Sequence, residues 1–207
     1  MKKYLVLALC LLILTVGHAQ NYTEYFANKT LRVDYIFTGD ASCQNVCLDE
    51  LSVLPSWAGR HQHLAELPLQ GNGQIIMKDL ESGKTVYTTS FSSLFQEWLE
   101  TDEAKVVSKG FENTFLLPYP LRPVEIEITL LSPRKEVRTC LKHTVRPDDV
   151  LIHQKGTAHI TPHKYLLKSG ETDKCIDVAI LAEGYTPAEM DVFYQDAEIA
   201  CKSLFSH

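Results

Sequence analysis

The clearest pattern in the chain is a strict alternation of apolar and polar residues. In Val124-Glu125-Ile126-Glu127-Ile128-Thr129-Leu130 every even-numbered residue is apolar and every odd one is polar. Side chains point to opposite faces along a strand, so this segment has one buried face and one wet face. Ser132-Pro133-Arg134-Lys135 supplies a turn, and Val137 to Val145 continues as a second strand, which completes a hairpin. Gln74 to Asp79 and Lys84 to Ser90 form another, joined through Glu81-Ser82-Gly83, where Gly83 is free to take a positive φ. Leu31 to Phe37, Val46 to Leu54, Phe111 to Leu117 and Val150 to Gln154 add further short strands. Roughly seven or eight short strands with hairpin links predict a mainly β protein, an antiparallel sandwich of immunoglobulin-like or jelly-roll-like form.

Two segments break this rhythm. Between Ser92 and Ser108, Leu94, Phe95, Trp98 and Leu99 recur at helical spacing among Glu97, Glu100, Asp102 and Glu103. A short amphipathic helix is expected there, plugging one end of the sandwich with Phe95 and Trp98. Residues 153–174 read as a linker. After it, Cys175-Ile176-Asp177-Val178-Ala179-Ile180-Leu181-Ala182 is a nearly continuous apolar run, the mark of a strand covered on both faces. Thr186-Pro187-Ala188-Glu189 then reads as a capping box that opens a helix. Met190, Phe193, Tyr194, Ala197, Cys201, Leu204 and Phe205 line one stripe of it. Such a β-α element is how an α/β domain begins. A lone strand and helix bury too little by themselves, so residues 175–207 are expected to be the truncated start of a second domain.

The N-terminus adds an address. Lys2 and Lys3 precede an unbroken apolar and small-residue run from Tyr4 to Val16, and Gly17-His18-Ala19 offers small residues for cleavage. Residues 1–19 therefore read as a cleavable signal peptide, too short for a stable membrane span. The mature protein is expected to be secreted, periplasmic or at the cell surface, with a sandwich over residues 20–152. Its 207-residue precursor carries a formal charge of −6, and removing two leader lysines makes the remainder more acidic. That balance argues against nucleic acid as a partner. Cys43, Cys47, Cys140, Cys175 and Cys201 remain after cleavage. Their odd number leaves at least one thiol unpaired, and free, mostly buried thiols are the favoured reading.

Catalytic chemistry is hard to find. No His-Glu-x-x-His occurs, and His159 and His163 flank Pro162 with no acid between them. His61-Gln62-His63 reads as a solvated loop pair rather than an ion site. No Gly-x-Ser-x-Gly elbow and no glycine-rich phosphate loop are present. The acids of Glu97 to Glu103 and the Asp148-Asp149 pair lack the spacing of a calcium loop, and Glu125 and Glu127 read as solvent-facing. The residues given make no catalytic or metal set. Trp57, Trp98 and Tyr119 are the candidates for a ligand-stacking surface.

Several stretches resemble a known family. Leu31-Arg32-Val33-Asp34-Tyr35, Trp57-Ala58-Gly59-Arg60, the segment Ser90 to Trp98, Phe111-Glu112 and Leu117-Pro118-Tyr119-Pro120 look like the N-terminal domain of the bacterial IgA-peptidase family of secreted metallopeptidases, common in gut Bacteroidetes. The segment Asp177 to Thr186, with Glu189-Met190 and Phe193-Tyr194, is similar to the start of that family's peptidase domain. The resemblance implies a sandwich ahead of a zincin-like domain whose zinc ligands and catalytic glutamate lie downstream, so no catalytic residue carries over to this sequence. It implies a non-catalytic accessory domain partnered by the rest of a peptidase domain, in cis or from a split gene, with zinc held there and protein as the parent enzyme's substrate. A free-standing glycan- or protein-binding module is the alternative.

Overall fold

The computed structural model describes residues 21–67, 69–131, 136–156, 161–171 and 175–206. The expected leader over residues 1–19 lies outside them. The chain divides into two compact units, one reaching Trp57 and resuming over His61–Lys155, the other made of Ala58–Arg60 and the chain from Gly156 onward.

The first unit is two four-stranded sheets. A short helix α1 (Tyr22–Tyr25) leads into β1 (Phe26–Asp40), β2 (Cys43–Leu54), β3 (Gly73–Asp79) and β4 (Thr85–Phe91). A helical turn α2 (Leu94–Trp98) follows, then β5 (Lys109–Pro120), β6 (Val124–Leu131), β7 (Val137–Val145) and the two-residue β8 (His153–Gln154). One sheet has the order β5-β1-β2-β8 and the other β4-β3-β6-β7. All pairings are antiparallel except β2 with β8.

Alternation puts the core where the sequence pattern places it. On β1, Leu31, Val33, Tyr35 and Phe37 face inward, opposed on the second sheet by Ile75 and Met77 of β3 and Ile126, Ile128 and Leu130 of β6, all essentially inaccessible. Burying each such side chain contributes roughly 1.5–3 kcal/mol, and the two half-wet sheets close a core together. Gly83 takes φ +67° in the β3–β4 turn, the conformation expected of it. Gly73 has a different reason for being glycine, since an added Cβ would lie 2.3 Å from the Phe91 ring.

The helix expected over Ser92–Ser108 is shorter and broken. Ser93 caps α2 by accepting from the Gln96 amide, and the helix stops after Trp98. The Thr101 hydroxyl donates to the Trp98 carbonyl and accepts from the Ala104 amide, taking over backbone bonds that a continuing helix would use. A 3₁₀ turn over Glu103–Lys105 completes the segment. The strand expected from Val150 is reduced to β8, because residues 146–152 are taken up by turns such as Ile152 N–H to Asp149 O.

In the second unit, α3 (Met190–Leu204) forms behind the 3₁₀ turn Pro187–Glu189. Glu189 reaches back to accept from the Thr186 amide and hydroxyl at 2.9 and 2.6 Å, so the capping box is realised. The strand expected over 175–182 is not formed. Ile176 is 92% exposed and Leu181 78%, and no ladder pairs with the segment among the described residues. A strand's amides and carbonyls need a neighbour, and an apolar side-chain pattern does not supply one. No helix among the described residues is long and apolar enough to cross a membrane, which leaves membrane-crossing β-barrels unaddressed.

Candidate functional site

The three candidate aromatic residues do not form one surface. Trp57 is buried, edge-on to Tyr87 at 6.1 Å, with its amide donating to Asn28 Oδ1. Tyr119 pairs with Ala27 on β1, and its hydroxyl donates to the Pro147 carbonyl at 2.7 Å. Burial raises the Tyr119 hydroxyl above the ordinary tyrosine value, and nearby Asp148 adds to this. Trp98 sits at the other end, packed on Phe95 and Phe111 with centroids 6.1 and 5.4 Å away. Phe111 pairs with Phe37, so along β1 the two tryptophan neighbourhoods are about eight residues apart, ~25 Å at the strand rise.

The Trp98 end is the plug that the amphipathic pattern suggests. Phe95 is fully buried and meets Phe37 and Phe111, while Phe91 touches Phe37 and Phe115. The Trp98 indole N–H donates to Glu103 at 2.8 Å, and the Lys109 ammonium lies 5.6 Å from the indole centroid. Its polar edge and one face are thus already engaged.

Other candidate chemistry is likewise tied up. His61 packs at a tilt against Tyr22 with ring centroids 4.3 Å apart, whereas His63 turns to Glu66 at 2.8 Å, so the two imidazoles do not converge. His163 contacts the Thr161 carbonyl and Tyr165, and His159 lies outside the described residues. Glu127 is not solvent-facing as its alternation suggests. It is 8% exposed beneath the long side chains of Lys78 and Lys142, at 2.8 and 3.2 Å, and accepts from Thr139. The bond from Lys78 leads the interactions that pull its carboxyl down to about 2, against the opposing effect of burial. A surface concavity of about 360 Å³ is lined by Asp40, Ser42, Lys105 and Ser108 among others. Asp40 there accepts from the Ser42 hydroxyl and amide, the Cys43 amide and Ser108, which hold its carboxyl near 2. That carboxylate is spent on holding turns.

Sequence reasoning missed one polar pair. The Tyr35 hydroxyl and His143 Nε2 share a 2.6 Å hydrogen bond across the two sheets, inside the core. His143 Nδ1 is buried without a partner, and burial drives the imidazole down to about 4. The signal was present, because His143 shares strand parity with Leu141 and Val145. Tyr35 is 1% exposed, and His143 is half-buried, with one side of its ring partly open to solvent.

Among the described residues no three His, Cys, Asp or Glu side chains converge as a metal site, so these donors do not fit a zinc centre. What the first unit presents is a closed scaffold. A comparison with models of protein families matches residues 21–142 to the N-terminus of peptidase M64, which is more than half of the chain. The chain belongs to the peptidase M64 N-terminus family. No curated protein matches it. The M64 match runs from the entry to α1 through most of β7, so it coincides with the sandwich, and the segment carrying α3 lies beyond it.

Proposed function

We propose that this chain acts as the non-catalytic accessory domain of an exported zinc metallopeptidase of the IgA-peptidase kind, working alongside a peptidase domain that supplies zinc and the catalytic groups. The observation that carries this reading is the coincidence of the M64 N-terminal match with a sandwich whose candidate carboxylates, Glu127 and Asp40, are engaged in structural bonds. The bare apolar run at 176–181 and the exposed Val192, Ile199 and Leu204 of α3 support a role for residues 175–206 inside a larger α/β layer, which would pair the strand and cover the helix. The sandwich then acts by packing, shaping the approach of a protein substrate or helping the peptidase fold. The stacking-module alternative gains no support, because Trp57, Trp98 and Tyr119 are committed to internal contacts.

The test is a protease assay on the purified chain with zinc and an unfolded protein substrate, with and without a chelator. No chelator-sensitive turnover is expected. Turnover that a chelator abolishes would overturn the non-catalytic reading. A peptidase M64 catalytic domain supplied in trans should bind the chain saturably, and failure to do so would remove the accessory role.

A further inference from the structure

We propose that Cys43 of β2 and Cys140 of β7 are a disulfide-forming pair that staples the open side of the sandwich. The topology brings them to the same place. β7 is the outer strand of its sheet, and β2 is outermost in the other sheet wherever β8 is absent, since β8 pairs only with Ser52 and Val53. These two edges lie against each other.

Register fixes the level. Tyr35 pairs with Leu48 on β2 and its hydroxyl bonds to His143 on β7, so Leu48 and His143 both flank Tyr35 and lie near one level of the sandwich. From there β2 runs back through Cys47 to Cys43 while β7 runs back to Cys140, which puts Cys140 between the levels of the two β2 cysteines. Cys140 is the extra residue of a bulge, falling between the Leu141–Ile128 and Thr139–Thr129 pairs, and its side chain packs against the core.

Pairing within β2 is excluded. Cys43 and Cys47 lie on one continuously paired strand, about 13 Å apart at 3.3 Å per residue, whereas disulfide Cα atoms sit roughly 4.4–6.8 Å apart. Of the two, Cys43 is the better partner for Cys140. It opens β2 at an exposed hairpin end that can give by the one or two residues of offset, while Cys47 pairs with Ile36 in the middle of the ladder. Burial raises the Cys140 thiol above its ordinary value, and the neighbouring Cys43 charge adds to the rise.

The order of the chemistry follows from exposure, since Cys43 is exposed and Cys140 is half-buried. With oxidised glutathione as oxidant, the exposed Cys43 thiolate attacks one glutathione sulfur, the S–S bond breaks, and one glutathione thiolate leaves. The Cys140 thiolate then attacks Cys43 Sγ of the mixed disulfide and expels the second glutathione, so two protein thiols are oxidised and one disulfide is reduced. The first step falls to Cys43 because its thiol is exposed, whereas Cys140 is half-buried against the core.

Full-length chain is equilibrated with oxidised glutathione, quenched in acid, and mapped by mass spectrometry without reduction. The expected result is transient glutathionylation at Cys43, then a peptide linking Cys43 to Cys140, with the urea midpoint raised by about 1 M and restored by reductant. Cys47→Ser should keep the link; Cys43→Ser and Cys140→Ser should each abolish it while leaving circular dichroism unchanged. A glutathione adduct that persists on Cys43 with Cys140 still free, or a Cys47–Cys140 link in its place, overturns the proposal.

Discussion

Acidification from pH 7 to pH 5 should weaken the sandwich through one residue, His143. Its neutral imidazole is bonded to Tyr35 between the sheets, and burial lowers it from 6.5 to about 4. The unfolded chain therefore binds a proton in a range where the folded chain does not. Stability is fully present above the unfolded value of 6.5, falls as pH drops through 6.5, and levels off below about 4. With those two values the loss between pH 7 and pH 5 is about 2 kcal/mol, approaching 3 near pH 4. Solvent at the partly open side of the ring makes these upper figures. At a urea slope of 1–3 kcal/mol/M, the midpoint should fall by about 1 M.

The carboxylates do not confuse this window. Asp40, Glu50 and Glu127 are all held near 2, so what they contribute is present above the ordinary carboxylate range and is lost only as pH falls toward 2. The assay is urea unfolding followed by tryptophan fluorescence at pH 7, 6 and 5, on the native chain and on His143→Phe. The variant strands the Tyr35 hydroxyl, which costs roughly 1–3 kcal/mol at every pH; Tyr35→Phe with His143→Phe removes both partners and recovers part of that level. The readout is the slope. Both variants should be flat between pH 7 and 5. If either keeps the native slope, the inter-sheet histidine is not the source and the reasoning fails.

Other perturbations act through different contacts. Phe95→Ala empties the plug between Phe37 and Phe111 and should cost about 3–5 kcal/mol by chemical denaturation. Trp98→Ala, at a half-buried site, should cost less than Phe95→Ala in the same experiment. Glu127→Ala leaves Lys78 and Lys142 facing each other without their shared carboxylate and should destabilise the outer face of the second sheet by roughly 1–3 kcal/mol, an effect that moderate salt reduces. Gly73→Ala forces a methyl into the Phe91 ring and should cost about 1–3 kcal/mol, while Gly83→Ala, in open space but at φ +67°, should cost about 1 kcal/mol or less.

Much of the sandwich was readable from its sequence because its information is local. Alternation over 124–130 determines which residues face the core once a second sheet is present, and Ile126, Ile128 and Leu130 are buried accordingly. Turn chemistry at Gly83 fixes a hairpin within a few residues. Other features depend on partners far along the chain. Glu127 looks exposed in its own strand, and only the arrival of Lys78 from β3 and Lys142 from β7 covers it. Trp57 and Trp98 look alike as candidate platforms, yet one is buried against Tyr87 and the other is held by a glutamate five residues away.

The run at 175–182 shows the same limit from the opposite side. Its side chains demand cover on both faces, and the pattern states that demand as plainly as β6 states its own. β6 meets it because β3 and β7 flank it on both edges and the other sheet covers its apolar face. Among the described residues, the segment 175–182 has neither, and an apolar segment without a ladder gains nothing by being extended. Hydrophobic pattern specifies what a segment needs and leaves open where it is supplied. The capped helix α3 forms beside it all the same, since a helix satisfies its backbone within itself and a strand cannot.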